Sequence, residues 1–201
     1  MRILIIEDEI IIARFIENQL KISYAADTAI ALSGEEVFSL IPVFRPHLVL
    51  CDIELHDRVD GIMLVQQLRP KFDFEVIFIT SFQSRHIIDR AFELKPANYI
   101  IKPLDESRLY AGVLPIINQI QKKLASEDQE LRSVRDLLNP SELDVLRLIA
   151  RKKTTKEIAA ILHLSPYTIK NYRHKICRKL QLEEANNALL TWALKNQHRF
   201  L

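Results

Sequence analysis

Five residues at the ends of short apolar runs carry groups suited to a phosphate: Glu7 and Asp8 after RILII, Asp52 after HLVLC, Thr80 closing EVIFIT and Lys102 after NYII. Two carboxylates about 4 Å apart repel by roughly 4 kcal/mol at an effective dielectric near 20, so three together must protonate, separate or bind a cation. A hard divalent ion is the economical answer. Mg²⁺ takes one or two carboxylates, keeps several waters and completes its octahedron with phosphate oxygens. A carboxylate so placed can attack phosphorus and form an aspartyl phosphate, while Lys102 and the Thr80 hydroxyl hold the other phosphoryl oxygens. Singly, Glu7 and Asp8 are ordinary acids of a first helical turn, and Lys102 is an ordinary partner for Asp52. Gathered at four strand tips they are not, because one edge gains no stability from collecting like charges.

Bringing these residues to one edge requires particular elements. Five β-type runs, ILIIED, ISYAAD, HLVLCD, EVIFIT and NYIIKP, alternate with helical patterns over roughly 9–21, 33–41, 60–71, 84–95 and from 105 onward. Strands that are apolar along their whole length and alternate with helices indicate βαβ units and a parallel sheet covered on both faces. In such doubly wound α/β domains ligands lie beyond the carboxyl ends of the strands, where the five residues stand.

The 201-residue chain is long enough for two modest domains, and its charge is unevenly spread. Residues 1–120 hold 12 Lys+Arg against 17 Asp+Glu, whereas 121–201 hold 16 against 9, so the net charges are −5 and +7. The basic half points to nucleic acid or an acidic surface. No stretch has the run of apolar residues a membrane span needs, and the N-terminus reads as a strand rather than a leader. A cytoplasmic protein with no membrane partner is expected, with Cys51 and Cys177 as reduced core residues.

Within the basic half, three helix starts follow closely: Asn139-Pro140-Ser141-Glu142, Thr154-Thr155-Lys156-Glu157 and Ser165-Pro166. The expected helix-turn-helix core contains Ile158, Ile161 and Leu162 from the second helix and Ile169, Ile176 and Leu180 from the third. The outward face of the third helix then carries Tyr167, Lys170, Asn171, His174 and Arg178, with Thr155 and Lys156 opening the second helix. Lys and Asn can bond base edges in the major groove, while flanking Lys and Arg neutralise phosphates. Between Arg151 and Leu180 stand nine Lys+Arg and one acid, Glu157, so double-stranded DNA is the expected ligand. The charged stretch SEDQELRSVRD, residues 126–136, is either an extended helix or a flexible tether.

Both halves resemble known families. The acidic pair Glu7 and Asp8, Asp52 after the third strand, Thr80, Tyr99 and Lys102-Pro103 are similar to the receiver domain of bacterial response regulators. The segment from Leu138 to Trp192 resembles the LuxR-type helix-turn-helix, through Ser141-Glu142, Val145-Leu146, Lys156-Glu157-Ile158-Ala159, Leu164-Ser165, Thr168-Ile169-Lys170 and Lys179-Leu180. Together they resemble the NarL/FixJ class of two-component regulators. The resemblance implies a flavodoxin-like five-stranded sheet of order 2-1-3-4-5 over residues 1–124, a linker over 125–137 and an all-α DNA-binding domain over 138–201. It also implies a non-enzymatic transcription factor in which Asp52 takes a phosphoryl group from a sensor histidine kinase. Mg²⁺ would be held by Asp8, Asp52 and the backbone carbonyl of Glu54, with Glu7 acting mostly through water. Thr80 and Tyr99 would form a switch, Lys102–Pro103 would be cis, and the phosphorylated protein would bind DNA as a homodimer on half-sites one helical turn apart.

Three departures from the family pattern stand out. The loop ELHDRVD after Asp52 lacks the usual Pro and reaches Gly61 one residue late, Lys152 takes a usual Gly position, and Tyr172 a usual His position. The unusual loop keeps an alternative open, a phosphorylation-independent DNA-binding protein whose receiver serves as a dimerisation module. Of the six histidines, only His174 has a position suggesting contact with DNA; the others, His56 among them, read as structural or solvated.

Overall fold

The computed structural model describes residues 1–56, 59–81, 84–182 and 187–196, and the backbone alone for 127, 130, 131, 133 and 135. Two compact units divide between Lys123 and Leu124.

In the first unit, β1 (Arg2–Ile6), β2 (Asp27–Ala31), β3 (Leu48–Asp52), β4 (Glu75–Thr80) and β5 (Asn98–Ile101) form a parallel sheet of order β2-β1-β3-β4-β5. All five residues of β3 are buried, as an apolar strand covered on both faces requires. The strand β2 differs from expectation. Ile22 and Ser23 of ISYAAD finish α1 (Ile10–Ser23), and the strand is the less apolar DTAIA that follows. The physical reason is its place at the sheet edge, where it pairs only with β1 and is only partly covered. An edge strand needs no continuous apolar run, so its pattern is faint.

The helices α2 (Gly34–Phe44), α3 (Gly61–Leu68) and α4 (Arg85–Glu93) complete the alternation, and α5 (Glu106–Leu137) follows β5. Ser33 and Asp60 cap α2 and α3 by accepting hydrogen bonds from the backbone N–H of Glu36 and Met63. In contrast, α4 buries only Ala91. The first half of α5 buries Leu109, Val113, Ile117 and Ile120, residues at helical spacing. Its helix continues without a break through the charged stretch, which resolves the choice between helix and tether for residues 126–136. Among the described residues, no helix is long and apolar enough to cross a membrane.

The second unit packs α6 (Pro140–Ala150), α7 (Thr155–Ile161), α8 (Pro166–Lys179) and α9 (Ala188–Lys195) around Val145, Leu146, Ile149, Ile158, Ile169, Ile176 and Leu189. Val134 near the end of α5 joins the same core. Ile161 does not belong to it: at the last turn of α7 it is 48% exposed. The core is supplied by Ile158 and Ala159, three and two residues earlier, because a seven-residue helix turns only one narrow face inward.

Candidate functional site

Strand register brings the expected residues to one edge. Ile6 lies beside Cys51, Asp52 beside Ile79 and Thr80 beside Ile101, so Glu7, Asp52, Thr80 and Lys102 lie within a residue or two of a common line. At about 3.3 Å of rise per residue, side chains from different strands can meet there. Asp52 and Thr80 are buried, held rigidly by the strands that end in them.

Lys102 is the hub of the cluster. Its Nζ donates to Asp52 Oδ2 at 2.7 Å and to Glu7 Oε1 at 3.1 Å. Glu7 Oε2 stands 2.9 Å from the same ammonium, so both oxygens of the carboxylate pair with it. Burial pushes the Glu7 carboxyl up to about 7; the hydrogen bond from Lys102 opposes this and the nearby Asp52 charge reinforces it. Burial works against the Lys102 charge, but the hydrogen bonds to Asp52 and Glu7 outweigh it and raise the pKa of the ammonium. The backbone N–H of Glu54 donates to Asp52 Oδ1 at 2.9 Å, which places Glu54 at the site through its main chain. The Lys102–Pro103 peptide bond is cis.

The donor set fits a hard cation. Glu7, Asp8 and Asp52 each offer an oxygen within 4.8 Å of the others. Oxygen donors in this number suit Mg²⁺. Gly61, at the far end of the loop, is required by space rather than by dihedral angle. A Cβ there would lie 1.9 Å from the Asp52 carbonyl oxygen. Within the loop, Asp57 and Arg58 lie outside the described residues.

Tyr99 stands beside Phe78 in the β4–β5 register and stacks on Phe92 of α4, with centroids 6.1 Å apart and planes at 27°. Burial raises its hydroxyl pKa. Two contacts escaped the sequence reading. His56 donates its backbone N–H to Asp8 Oδ2 at 3.2 Å and sets its ring Nδ1 2.5 Å from the same oxygen. Burial tends to raise the Asp8 pKa, but the side-chain and backbone hydrogen bonds from His56 lower it on balance. In addition, Arg90 of α4 pairs at 3.0 Å with Asp60, which caps α3. Both partnerships span tens of residues in the chain, so no local pattern could have signalled them.

In the second unit, Asn139–Glu142 and Thr154–Glu157 form complete capping boxes, and Ser165 caps α8. Tyr167, Lys170, Asn171, His174 and Arg178 are exposed on α8, Lys156 is exposed on α7 and Thr155 is half-buried beside it. Glu142 does more than its capping position announced: almost wholly buried, its Oε2 also accepts from Lys179 of α8 at 2.6 Å. Lys152 has φ 59°, the left-handed conformation that favours glycine. Tyr172 is half-buried and packs against the unit's core.

Comparison with known proteins agrees with this geometry. Residues 3–114 match the family described as response regulator receiver domain, and residues 136–191 match bacterial regulatory proteins of the luxR family. YvfU, an uncharacterised transcriptional regulatory protein of Bacillus subtilis, is 30% identical over 161 residues, covering 79% of each chain. The receiver domain of a modulated diguanylate cyclase from Desulfovibrio desulfuricans superposes with a TM-score of 0.54 at 28% identity, covering 61% of this chain and 97% of that one. Full-length FixJ of B. japonicum shares the fold across 96% of both chains, with a TM-score of 0.54 at 21% identity.

Proposed function

Because the chain belongs to the response regulators, with a receiver domain followed by a LuxR-type DNA-binding domain, we propose that Asp52 accepts a phosphoryl group from a sensor histidine kinase and thereby controls DNA binding. The second matched family is one of bacterial regulatory proteins, which supports a transcription factor rather than an enzyme acting on a small substrate. In functional terms, residues 1–124 receive, 125–137 link and 138–201 read DNA.

The observation that carries this reading is the buried Asp52–Lys102–Glu7 cluster at the sheet edge. An Asp52 carboxylate oxygen attacks phosphorus; the bond to the donor histidine nitrogen breaks as the new P–O bond forms. Lys102, already within reach of Asp52, takes a phosphoryl oxygen, and the Thr80 hydroxyl donates to another. Glu7, Asp8, Asp52 and the Glu54 carbonyl would hold Mg²⁺, which when bound supplies countercharge for the approaching phosphate. Lys102 is pulled from Glu7 and Asp52 toward the new group, and Thr80 and Tyr99 shift with it. That rearrangement changes how the receiver packs and favours a dimer whose α8 helices enter successive major grooves. Lys170, Asn171, His174 and Tyr167 face the bases, while Arg178, Lys156 and Thr155 contact phosphates.

Intact mass of the protein treated with a small acyl-phosphate donor tests the chemistry. One phosphoryl adduct, dependent on Mg²⁺ and absent from Asp52→Asn, is expected. An adduct that persists in Asp52→Asn, or none under any condition, overturns the assignment.

A further inference from the structure

The loop after Asp52 folds back across the site and sets His56 on Asp8. Both hydrogen-bonding nitrogens involved fall on one oxygen: the backbone N–H at 3.2 Å and ring Nδ1 at 2.5 Å from Asp8 Oδ2. Asp8 is a member of the carboxylate cluster, whereas His56 is not part of it. With Lys102 on Asp52 and Glu7, the described structure gives each of the three carboxylates a partner from the chain itself.

The two partners differ in how firmly they are held. Lys102 has only 12% of its side chain exposed, and the phosphoryl chemistry requires it to stay nearby. The His56 side chain is 79% exposed, so swinging it into solvent uncovers almost no apolar surface. Asp8 itself is only 18% exposed, two residues beyond β1, and both His56 contacts fall on its Oδ2.

We propose that His56 is a built-in competitor for the divalent cation at Asp8, setting the cation concentration at which the acceptor site becomes complete. The proposal rests on the cation reading of the cluster given above. A cation that engages Asp8 Oδ2 must displace the imidazole, and the affinity observed is the intrinsic affinity reduced by that contact. The backbone N–H remains as a lesser donor. The device belongs to this chain's unusual loop, where His56 stands four residues beyond the acceptor.

Calorimetric titration of the full-length protein with Mg²⁺ alone, at fixed pH and ionic strength, tests it without any phosphoryl donor. His56→Ala should bind Mg²⁺ about three- to tenfold more tightly than wild type, the factor expected for loss of one charge-assisted hydrogen bond at an exposed site. His56→Phe, which keeps a ring but no donor, should match His56→Ala. Unchanged or weaker binding in both variants overturns the proposal and makes His56 a bystander or an orienting partner of Asp8. Asp8→Asn separates the two levels of the argument. If its titration matches wild type, or no protein binds Mg²⁺, the cation reading falls, and the competitor with it.

Discussion

Replacing Glu142 by Gln should destabilise the second unit by about 1–2 kcal/mol at pH 7, a figure that follows from its surroundings. The carboxylate is 1% exposed and receives two donors on Oε2, the Asn139 N–H at 2.9 Å and Lys179 Nζ at 2.6 Å. Gln keeps the shape and an acceptor for Asn139 but loses the charge that draws Lys179. A charge-assisted hydrogen bond contributes roughly 1.5–3 kcal/mol. The loss is tempered because Lys179, 38% exposed, rehydrates, and because a neutral amide is easier to bury. Glu142→Ala also leaves the Asn139 N–H uncapped, adding about 1 kcal/mol.

Trp192, the single tryptophan, packs against this unit's core, so urea unfolding followed by its fluorescence reads the second unit. The pH dependence is a second, independent check. Burial works to raise the Glu142 pKa, but the bonds from Lys179 and Asn139 prevail and hold it below the ordinary 4.5. A pKa depressed by folding contributes stability that is present above the unfolded value and lost as pH falls through the folded one. The gap between wild type and Glu142→Gln should therefore narrow as pH drops below about 4.5. Equal stability at pH 7, or a gap that stays constant down to pH 3, refutes the reasoning.

Further outcomes follow from other positions. Gly61→Ala forces a Cβ against the Asp52 carbonyl oxygen; the first unit should lose about 3 kcal/mol by circular dichroism, and mass spectrometry should show impaired phosphoryl uptake. Lys152→Gly should relieve left-handed strain and stabilise the second unit by about 1 kcal/mol in the Trp192 assay. The same change should lower the salt dependence of DNA binding by about one unit of slope if Lys152 meets a phosphate. Lys170→Ala should cost about 1–3 kcal/mol and relax discrimination at one base pair, measured by competition between operator variants.

Much of the architecture was legible because it is written locally. Apolar runs of β-type residues define β3, β4 and β5, and capping residues such as Asn139, Thr154 and Ser165 mark helix starts within three or four positions of themselves. The acids and Lys102 were legible as a set, because a parallel sheet places every strand's end on one edge. Harder to read were features whose causes are not local. As an edge strand, β2 is only partly covered, and so carried a weak pattern that the more apolar ISYAA outweighed.

The partnerships that tune the site lay further out of reach. Sequence determined that Asp8 and Glu142 are acids in helix-starting contexts. Only tertiary structure decided that His56, 48 residues away, would rest on the first and Lys179, 37 residues away, on the second. Local patterning records the periodicity of a residue's own element, whereas a hydrogen bond between distant segments depends on packing to within an ångström, which no single stretch of chain encodes.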